Sequence, residues 1–437
     1  MPSGLLLACT LVALGFALGV VPGDVPEALP EALADTPAAG APGPAVPDSE
    51  YLARILQSRP ERFRIALDPA LAAGHRIQIL VSFVERRGGS VTLERHGFRV
   101  GAEYYYPASA IKLCAAVAAL GTMRGLIAAG HRVTLDSPLR FHPLHPGERP
   151  EPADGQAGGR VTLGRLLRQT LIVSSNEAFN RLYDYAGHQA LHETMWSAGL
   201  RDTFLFHRLS VTRSEEEHRM APRIDIETGR GAVTTPTRNS ALALDPRPLP
   251  GLDVGRAYVE ARRVIESPMS FARKNRMSLV DLQNLMIMVM RPDIPLDLPG
   301  LSLHRKDRAF LQRALREPPA ESRDPVFPPE DHDILRFKPV LGGLQRVAPM
   351  QRWAVWNKAG TAYGFRIENA YVVDEQSKRA MFFTVAIYAN ADGVLNDDEY
   401  EYDTVADPFI HDLAEAVVRD RWKLPASASR RGRAAAP

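Results

Sequence analysis

The spacing of hydrophobic positions changes period along this chain, and each change marks an element. From Glu50 to Ile65, Leu52, Ile55, Leu56 and Phe63 recur at helical spacing and predict a helix. Arg76 to Glu85 alternates instead, with Ile77, Ile79, Val81 and Phe83 on one side, and Ser90 to Val100 continues through Val91, Leu93 and Phe98. Gly88-Gly89 between two such runs predicts a β-hairpin. Ser109 to Leu120 is almost wholly apolar and predicts a buried helix. Further helices are expected over Thr162–Gln169, Asn176–Tyr185 and Ala190–Ala198, and over Ser278–Met290 through Leu279, Leu282, Leu285 and Met286. Strand patterning returns in Arg352–Lys358, Ala362–Val373 and Arg379–Tyr388. Asp407–Val418 closes the pattern as an amphipathic helix carrying Phe409, Ile410, Leu413, Ala414 and Val417.

The order is helix, two strands, a block of helices, three strands, helix. It predicts an α/β (α+β) fold: a five-stranded antiparallel sheet flanked by helices, an all-helical subdomain, and a cleft between them. The sheet part takes about 50–105 and 346–422, and the helical part with its insertions about 106–345. Arg208 to Pro250 is polar and proline-interrupted and receives no assignment. Pro292 to Gln345 is irregular around a helix at Asp307–Leu315.

The ends differ in character. Leu5 to Val21 is a run of seventeen uncharged, mostly apolar residues, read as a signal peptide or N-terminal anchor over residues 1–21. Ala17-Leu18-Gly19 and Ala32-Leu33-Ala34 offer small-x-small cleavage sites. Leu6-Leu7-Ala8-Cys9 has the form of a lipobox behind too short an apolar stretch. A Pro/Ala/Gly-rich linker follows over residues 22–49, and the Ala/Ser/Arg-rich tail from 423 to 437 is expected to be disordered. The expectation is an exported protein, periplasmic or anchored to the outer face of a membrane. No other stretch reads as a membrane span.

With 437 residues, 45% of them hydrophobic and a net charge of +2, the chain is too apolar to be disordered and gives no electrostatic case for a nucleic-acid partner. Its two cysteines, Cys9 and Cys114, exclude a disulfide framework, and Cys114 reads as a small buried hydrophobe. His145, His188, His207 and His218 lack metal-site spacing, and no cofactor is expected. Asp397-Asp398-Glu399 with Glu401 and Asp403 reads as an exposed acidic loop ahead of a cation site.

Three short segments carry candidate chemistry. Ser109-Ala110-Ile111-Lys112 places a hydroxyl and an amine on one helix face, with Cβ atoms about 5–6 Å apart. A serine needs a base to become a nucleophile, and a lysine serves if burial lowers its pKa. The alternative is that Ser109 caps the helix while Lys112 snorkels to water. Ser174-Ser175-Asn176 offers a second hydroxyl and a carboxamide, whereas Ser174 with Glu177 also reads as a capping box. Lys358-Ala359-Gly360-Thr361 ends an apolar strand. Lys358 there supplies either a positive field or an ordinary solvent-facing charge, and Gly360 admits close backbone approach.

Taken together, these segments resemble the penicillin-recognising serine hydrolases, the class A β-lactamases and related DD-peptidases, whose pattern is Ser-x-x-Lys, Ser-x-Asn and Lys-Thr-Gly or Lys-Ser-Gly. Tyr106-Pro107-Ala108-Ser109-Ala110-Ile111-Lys112 and Leu171-Ile172-Val173-Ser174-Ser175-Asn176-Glu177 carry the likeness, which extends roughly from Glu50 to Trp422 outside the insertions. The resemblance implies Ser109 as the acylated nucleophile and Lys112 as base or proton relay. It implies Ser174 as proton shuttle, Asn176 as the group holding Lys112 and substrate, and Lys358 as the source of the field. The amides of Ser109 and Thr361 would form the oxyanion hole, with Gly360 and Tyr106 lining the substrate site.

The chain departs from the pattern in three places. Ala359 replaces the hydroxyl residue of the third motif, a loss that Thr361 would have to make good. No Glu-x-x-Leu-Asn sequence follows Asn176, leaving Glu215, Glu216 and Glu217 as candidates for a deacylation base. Between Ser174 and Lys358 lie 183 residues, and the extra material at Ser210–Ser270 and Pro292–Gln345 is expected to cover or reshape the cleft. The readings that remain are a β-lactamase-like hydrolase of amides or esters, a DD-carboxypeptidase or endopeptidase on cell-wall peptides, and a non-catalytic cell-envelope binding protein of the same fold.

Overall fold

The computed structural model describes residues 46–144 and 160–424. The expected signal segment or anchor, nearly all of the linker, His145 and the tail from residue 425 lie outside them. Helix α1 (Glu50–Gln57) is capped by Ser49, whose hydroxyl accepts from the Leu52 amide at 3.2 Å. It ends well short of Ile65. Pro60 disfavours helical backbone at the residue before it, and the chain regains a helical turn only at Arg64–Leu67.

Strands β1 (Gln78–Arg87) and β2 (Ser90–Phe98) form the expected hairpin, with Gly88 and Gly89 both at positive φ. A tight 3-10 turn at Ala108–Ile111 opens onto α2 (Lys112–Ala128). Helices α3 (Leu163–Ile172), α4 (Asn176–Ala186) and α5 (His188–Ser197) pack around α2. Then come α6 (Leu279–Met290) and α7 (Arg305–Arg316). The C-terminal part holds β3 (Trp353–Asn357), β4 (Gly360–Ala362), β5 (Phe365–Asp374), β6 (Ala380–Tyr388) and α8 (Asp407–Trp422).

The sheet runs β3-β5-β6-β1-β2, antiparallel throughout, with β4 also paired to β5. Asn357 stands opposite Ala370 and Gly360 opposite Ile367, so one register carries through both β3 and β4. The Lys358 amide donates to the Asn369 carbonyl at 3.0 Å within that gap. The expected five strands are therefore present, one of them interrupted at Lys358-Ala359.

Ala362–Val373, expected as one run, is two strands joined by a turn. Tyr363 (φ 53°) and Gly364 (φ 77°) both take left-handed backbone, the signature of a tight hairpin. Tyr363 looks like a strand residue by type, and this hid the turn.

One face of the sheet packs Ile79, Val81, Phe83, Val372, Phe383 and Val385 against α1, α8 and the short helix Val340–Leu344. The other packs Leu80, Ile367, Phe382 and Ala386 against the helical part. Between sheet and α6 runs a buried polar chain. Ser82 Oγ donates to Gln283 Oε1 (2.6 Å), and Gln283 Nε2 donates to Thr384 Oγ1 (3.0 Å). The Thr384 hydroxyl donates to Asn369 Oδ1 (2.9 Å), and Asn369 Nδ2 donates to the Leu282 carbonyl (2.9 Å). Satisfied networks of this kind fix one packing arrangement, and this one holds the residue opposite Lys358.

Helix α2 is buried at every position from Lys112 to Leu120 and again at Met123 and Leu126, as befits a central helix. Residues 108–128 are long and apolar enough to cross a membrane, contrary to the expectation that no stretch beyond the N-terminal one is, but most of them are buried inside the fold.

The two insertions behave differently. The first builds short strands, including a hairpin of Ala257–Glu260 with Arg263–Ile265 that pairs in parallel with Val394–Leu395. The second does not cover the cleft. Val340–Leu344 packs on α8, and Lys338 reaches in behind β3 to Asn357.

Candidate active site

The two turns that carry the candidate hydroxyls have unusual backbone. Ala108, immediately before Ser109, sits at φ 47°, and Ser174 at φ 60°. Left-handed conformation is rare outside glycine and gathers at functional sites. Neither serine is a helix cap. The 3-10 turn containing Ser109 has no side-chain cap, so the capping alternative falls away. The cap of α4 is Ser175, whose hydroxyl accepts from the Ala178 amide at 3.2 Å. The capping box expected at Ser174 does not form; a plain cap forms one residue later, which leaves the Ser174 side chain to point elsewhere.

It points between two lysines. Lys358 Nζ donates to Ser174 Oγ at 2.8 Å and to the Ala359 carbonyl at 3.0 Å. Lys112 Nζ lies 3.2 Å from Ser174 Oγ, donates to Asn176 Oδ1 at 2.7 Å, and also contacts the Ser174 carbonyl. Both lysines are buried, Lys112 at 0% exposure and Lys358 at 4%, which removes the snorkelling and solvent-facing alternatives. Desolvation, reinforced by the Lys358 charge, pushes the Lys112 pKa well below the usual lysine range. Lys358 is lowered to about 7, first by burial and then by the charge of Lys338.

A neutral lysine amine has two N–H donors and one lone pair. The carbonyls of Ser174 and the Asn176 side chain take the donors of Lys112, which leaves the lone pair for a proton from a hydroxyl. Asn176 completes its own bonding by donating Nδ2 to Ser210 Oγ at 2.8 Å. Sequence reasoning missed Ser210, which also has left-handed backbone (φ 55°) and lines the cleft. Its position is set from α4: Asn180 exchanges two 2.9 Å hydrogen bonds with the Leu209 backbone, and Asp184 holds buried Arg208 at 2.6 Å.

Ser109 is half-buried and opens onto a cleft of about 980 Å³. Among the described residues no group hydrogen-bonds its hydroxyl, so the resting structure brings Lys112 to Ser174 and Asn176, with Ser109 one helical turn away. Gly360 explains the placing of the third segment. A Cβ there would lie 2.6 Å from the Pro107 carbonyl oxygen and 3.0 Å from the Ser109 amide nitrogen. What needs close approach at Gly360 is the turn bearing Ser109, a different reason from the substrate contact expected. Thr361 is exposed beside it, its hydroxyl accepting from Arg366 Nη1 at 2.5 Å, and Arg366 is paired to Asp407 at 2.7 Å. Tyr106 is buried in the cleft wall, edge-on to Tyr363 (5.3 Å between centroids) and Phe271 (5.7 Å).

The candidate deacylation acids are already engaged or turned to solvent. Glu217 Oε2 accepts from the Ser214 amide at 2.6 Å, closing a capping box, and Glu215 is paired with Arg273 at 2.9 Å. Glu216 is exposed and does not line the cleft. The insertion at 210–270 reshapes the cleft as expected, supplying Ser210, Val259, Glu260, Ala261 and Met269 to its walls, whereas 292–345 supplies none of the lining residues.

The acidic loop is turn-forming: Asp397 Oδ1 accepts from the Glu399 amide, Glu401 Oε2 from that of Ala391. No group of acids and histidines among the described residues suits a metal ion. His207, stacked on Tyr106, is kept neutral by burial, with its pKa lowered to about 4. A larger hollow of about 1120 Å³ on another part of the surface, lined by Tyr51, Glu85 and Arg421, does not touch these groups.

Residues 91–243 match the family model described as the beta-lactamase enzyme family, a stretch that holds Ser109, Lys112, Ser174 and Asn176. Solved structures similar to the chain include β-lactamases from Desulfarculus baarsii (15% identity, TM-score 0.46, 85% of this chain and 98% of that one) and Burkholderia phymatum (15%, 0.47, 84% and 99%). An acyl-enzyme complex of a PBP-A mutant with penicillin G overlaps it at 14% identity and TM-score 0.47, covering 85% of this chain and 98% of that one. No curated protein matches the sequence.

Proposed function

We propose that this chain, a member of the β-lactamase-like serine-hydrolase superfamily, cleaves an amide or ester through an acyl-enzyme on Ser109. The observation that carries the reading is the single hydroxyl, Ser174 Oγ, set between the amines of Lys112 and Lys358 beside a cleft-facing serine. Ser109 Oγ attacks the carbonyl carbon and its proton passes to the lone pair of Lys112, a base because burial favours its neutral form. Charge developing on the carbonyl oxygen meets the amides of Ser109 and Thr361, a role supported by the close packing of Gly360, next to Thr361, on the Ser109 turn. The C–N or C–O bond then breaks. The leaving group takes a proton from Ser174 Oγ, which Lys112 replenishes, while Lys358 in its charged form steadies the shuttle. Water attack on the acyl-enzyme returns Ser109.

A second reading has a specific observation in its favour. With Glu215 held by Arg273 and Glu217 by its own helix cap, neither of these carboxylates stands ready to activate the deacylating water. This favours a peptidase-like enzyme on cell-wall-type peptides, one that penicillin acylates without rapid turnover. A fluorophosphonate or fluorescent penicillin probe tests both. Labelling that Ser109→Ala abolishes supports the enzyme, and labelling without turnover of a chromogenic cephalosporin supports the peptidase. An unlabelled, folded protein would leave a non-catalytic binding protein. Export to the outer face of a membrane belongs to the same reading and rests on residues 1–21.

A further inference from the structure

Most cations around the cleft are already engaged. Arg208 is held by Asp184, Arg273 by Glu215 and Arg366 by Asp407, while Lys112 and Lys358 share Ser174. Lys274 is different. It stands half-buried on the wall built by the first insertion, in the same cleft as Ser109. Among the described residues no carboxylate comes within 4.0 Å of its Nζ. Glu260, on the same wall, acts on it through space from beyond that distance. The amine rests instead over the ring of Tyr363, 5.8 Å from the centroid. That ring is fixed edge-on by Tyr106 (5.3 Å) and Phe271 (5.4 Å) and makes a rigid floor. A half-buried cation above an aromatic floor, with no carboxylate in direct contact, is placed to receive an anion.

Its place along the strand says which part of a substrate the anion belongs to. Gly360 touches the turn of Ser109, and Tyr363, at the turn that ends β4, lies three residues further on, about 10 Å at strand rise. Among the described residues β4 pairs only with β5, which leaves its other edge for an extended ligand. Ser174 and the two active-site lysines lie toward the Lys358 end, where a leaving group would collect its proton. The acyl portion of the substrate then runs toward Tyr363.

We propose that Lys274 and the face of Tyr363 form an anion subsite for the acyl portion, so that the favoured acyl donor carries a carboxylate roughly 10 Å from the carbonyl under attack. The assignment to the acyl side rests on the acyl-enzyme reading above; the anion site itself does not.

The test is equilibrium binding to the full chain carrying Ser109→Ala, by calorimetry. The ligands are suberic acid mono-(4-nitroanilide) and its uncharged terminal amide. The acid binds roughly 10-fold or more tightly than the amide, Lys274→Met closes the gap, Lys274→Arg keeps most of it, and added salt narrows it. Equal affinities, a gap that survives Lys274→Met, or no binding of either ligand at millimolar concentration overturns the proposal. Should Lys274→Met not fold, Lys274→Gln takes its place under the same criteria. Probe labelling of the wild-type chain reports separately on Ser109, so an unlabelled protein that retains the charge preference would sink the hydrolase reading and leave the anion site standing.

Discussion

Ser174 Oγ accepts a 2.8 Å hydrogen bond from Lys358 Nζ although the two residues are 184 positions apart, and this contact joins the helical part to the sheet at the cleft. Its geometry asks for one thing of the backbone, a left-handed serine, and one of the side chain, a hydroxyl. The two can be separated. Ser174→Ala loses only the hydroxyl, whereas Ser174→Gly loses the hydroxyl and also the Cβ that strains the left-handed backbone. Acylation of a fluorophosphonate should slow by about 10²–10⁴-fold in each. The glycine variant should be the more stable of the two, by about 1 kcal/mol in denaturant unfolding, because alanine keeps the Cβ that resists positive φ and glycine does not. Equal labelling of Ser174→Gly and wild type would remove the hydroxyl from the mechanism.

The lysine pair predicts the pH dependence. Lys112 must be neutral to act, and its pKa lies well below the ordinary value, so the acid limb of kcat/KM falls on the acid side. Lys358 is needed charged, and with a pKa lowered to about 7 it loses its proton as pH rises through neutrality. The expected profile is a bell whose alkaline limb belongs to Lys358, and Lys358→Arg, which stays charged, should carry activity further into alkali. Stability follows the opposite trend. Lys358 and Lys338, both lowered to about 7, are neutral in the folded state over a range where the unfolded chain still binds the protons. Their contribution is complete above the unfolded lysine pKa and is lost as pH falls toward about 7. The Tm should therefore rise from pH 7 to pH 9 by a margin that Lys338→Met reduces.

Asn176 offers a change of charge at constant shape. Its Oδ1 accepts from Lys112 at 2.7 Å and its Nδ2 donates to Ser210 at 2.8 Å. In Asn176→Asp a carboxylate stands against Lys112 and favours the protonated amine, so the Lys112 pKa rises and the acid limb moves toward alkali. Activity at pH 7 should drop roughly 10-fold or more and partly recover at pH 9. Ser210→Ala removes only the outer hydrogen bond and should cost less than 10-fold. A pH profile of Asn176→Asp superimposable on that of wild type would show that Lys112 is not the titrating base.

Much of this arrangement was legible in the sequence because it rests on local pattern. The alternation of Ile77, Ile79, Val81 and Phe83, the turn at Gly88-Gly89 and the apolar run after Lys112 each follow from residue type and spacing. A lysine in so apolar a helix also announces itself, since its burial needs a reason. What stayed hidden depends on the other half of a contact. Ser210 is one serine among many until Asn180 and Asp184, on a different element, fix the segment that bears it. The role of Glu215 was open because its partner Arg273 lies 58 positions away, beyond the insertion. Lys338 reaches the back of β3 from a segment expected to cover the cleft, a placement no periodicity could reveal.

Gly360 gives the sharpest test of the spatial claim, because its reason is steric. Adding one methyl group places a carbon 2.6 Å from the Pro107 carbonyl oxygen and 2.9 Å from the Ala110 amide nitrogen, both backbone atoms that cannot swing aside. The strand or the Ser109 turn must move, and either motion separates the amides of Ser109 and Thr361. Gly360→Ala should destabilise the fold by about 1–3 kcal/mol, as overpacking does. It should also lower probe acylation by a hundredfold or more, since misplacing an oxyanion donor costs about 10²–10³. The two effects can be pulled apart by comparison with Ala362→Gly on the same strand, which leaves the contact with Ser109 untouched. If Gly360→Ala labels at the wild-type rate while folded, the amides of Ser109 and Thr361 do not need this contact, and the oxyanion assignment fails.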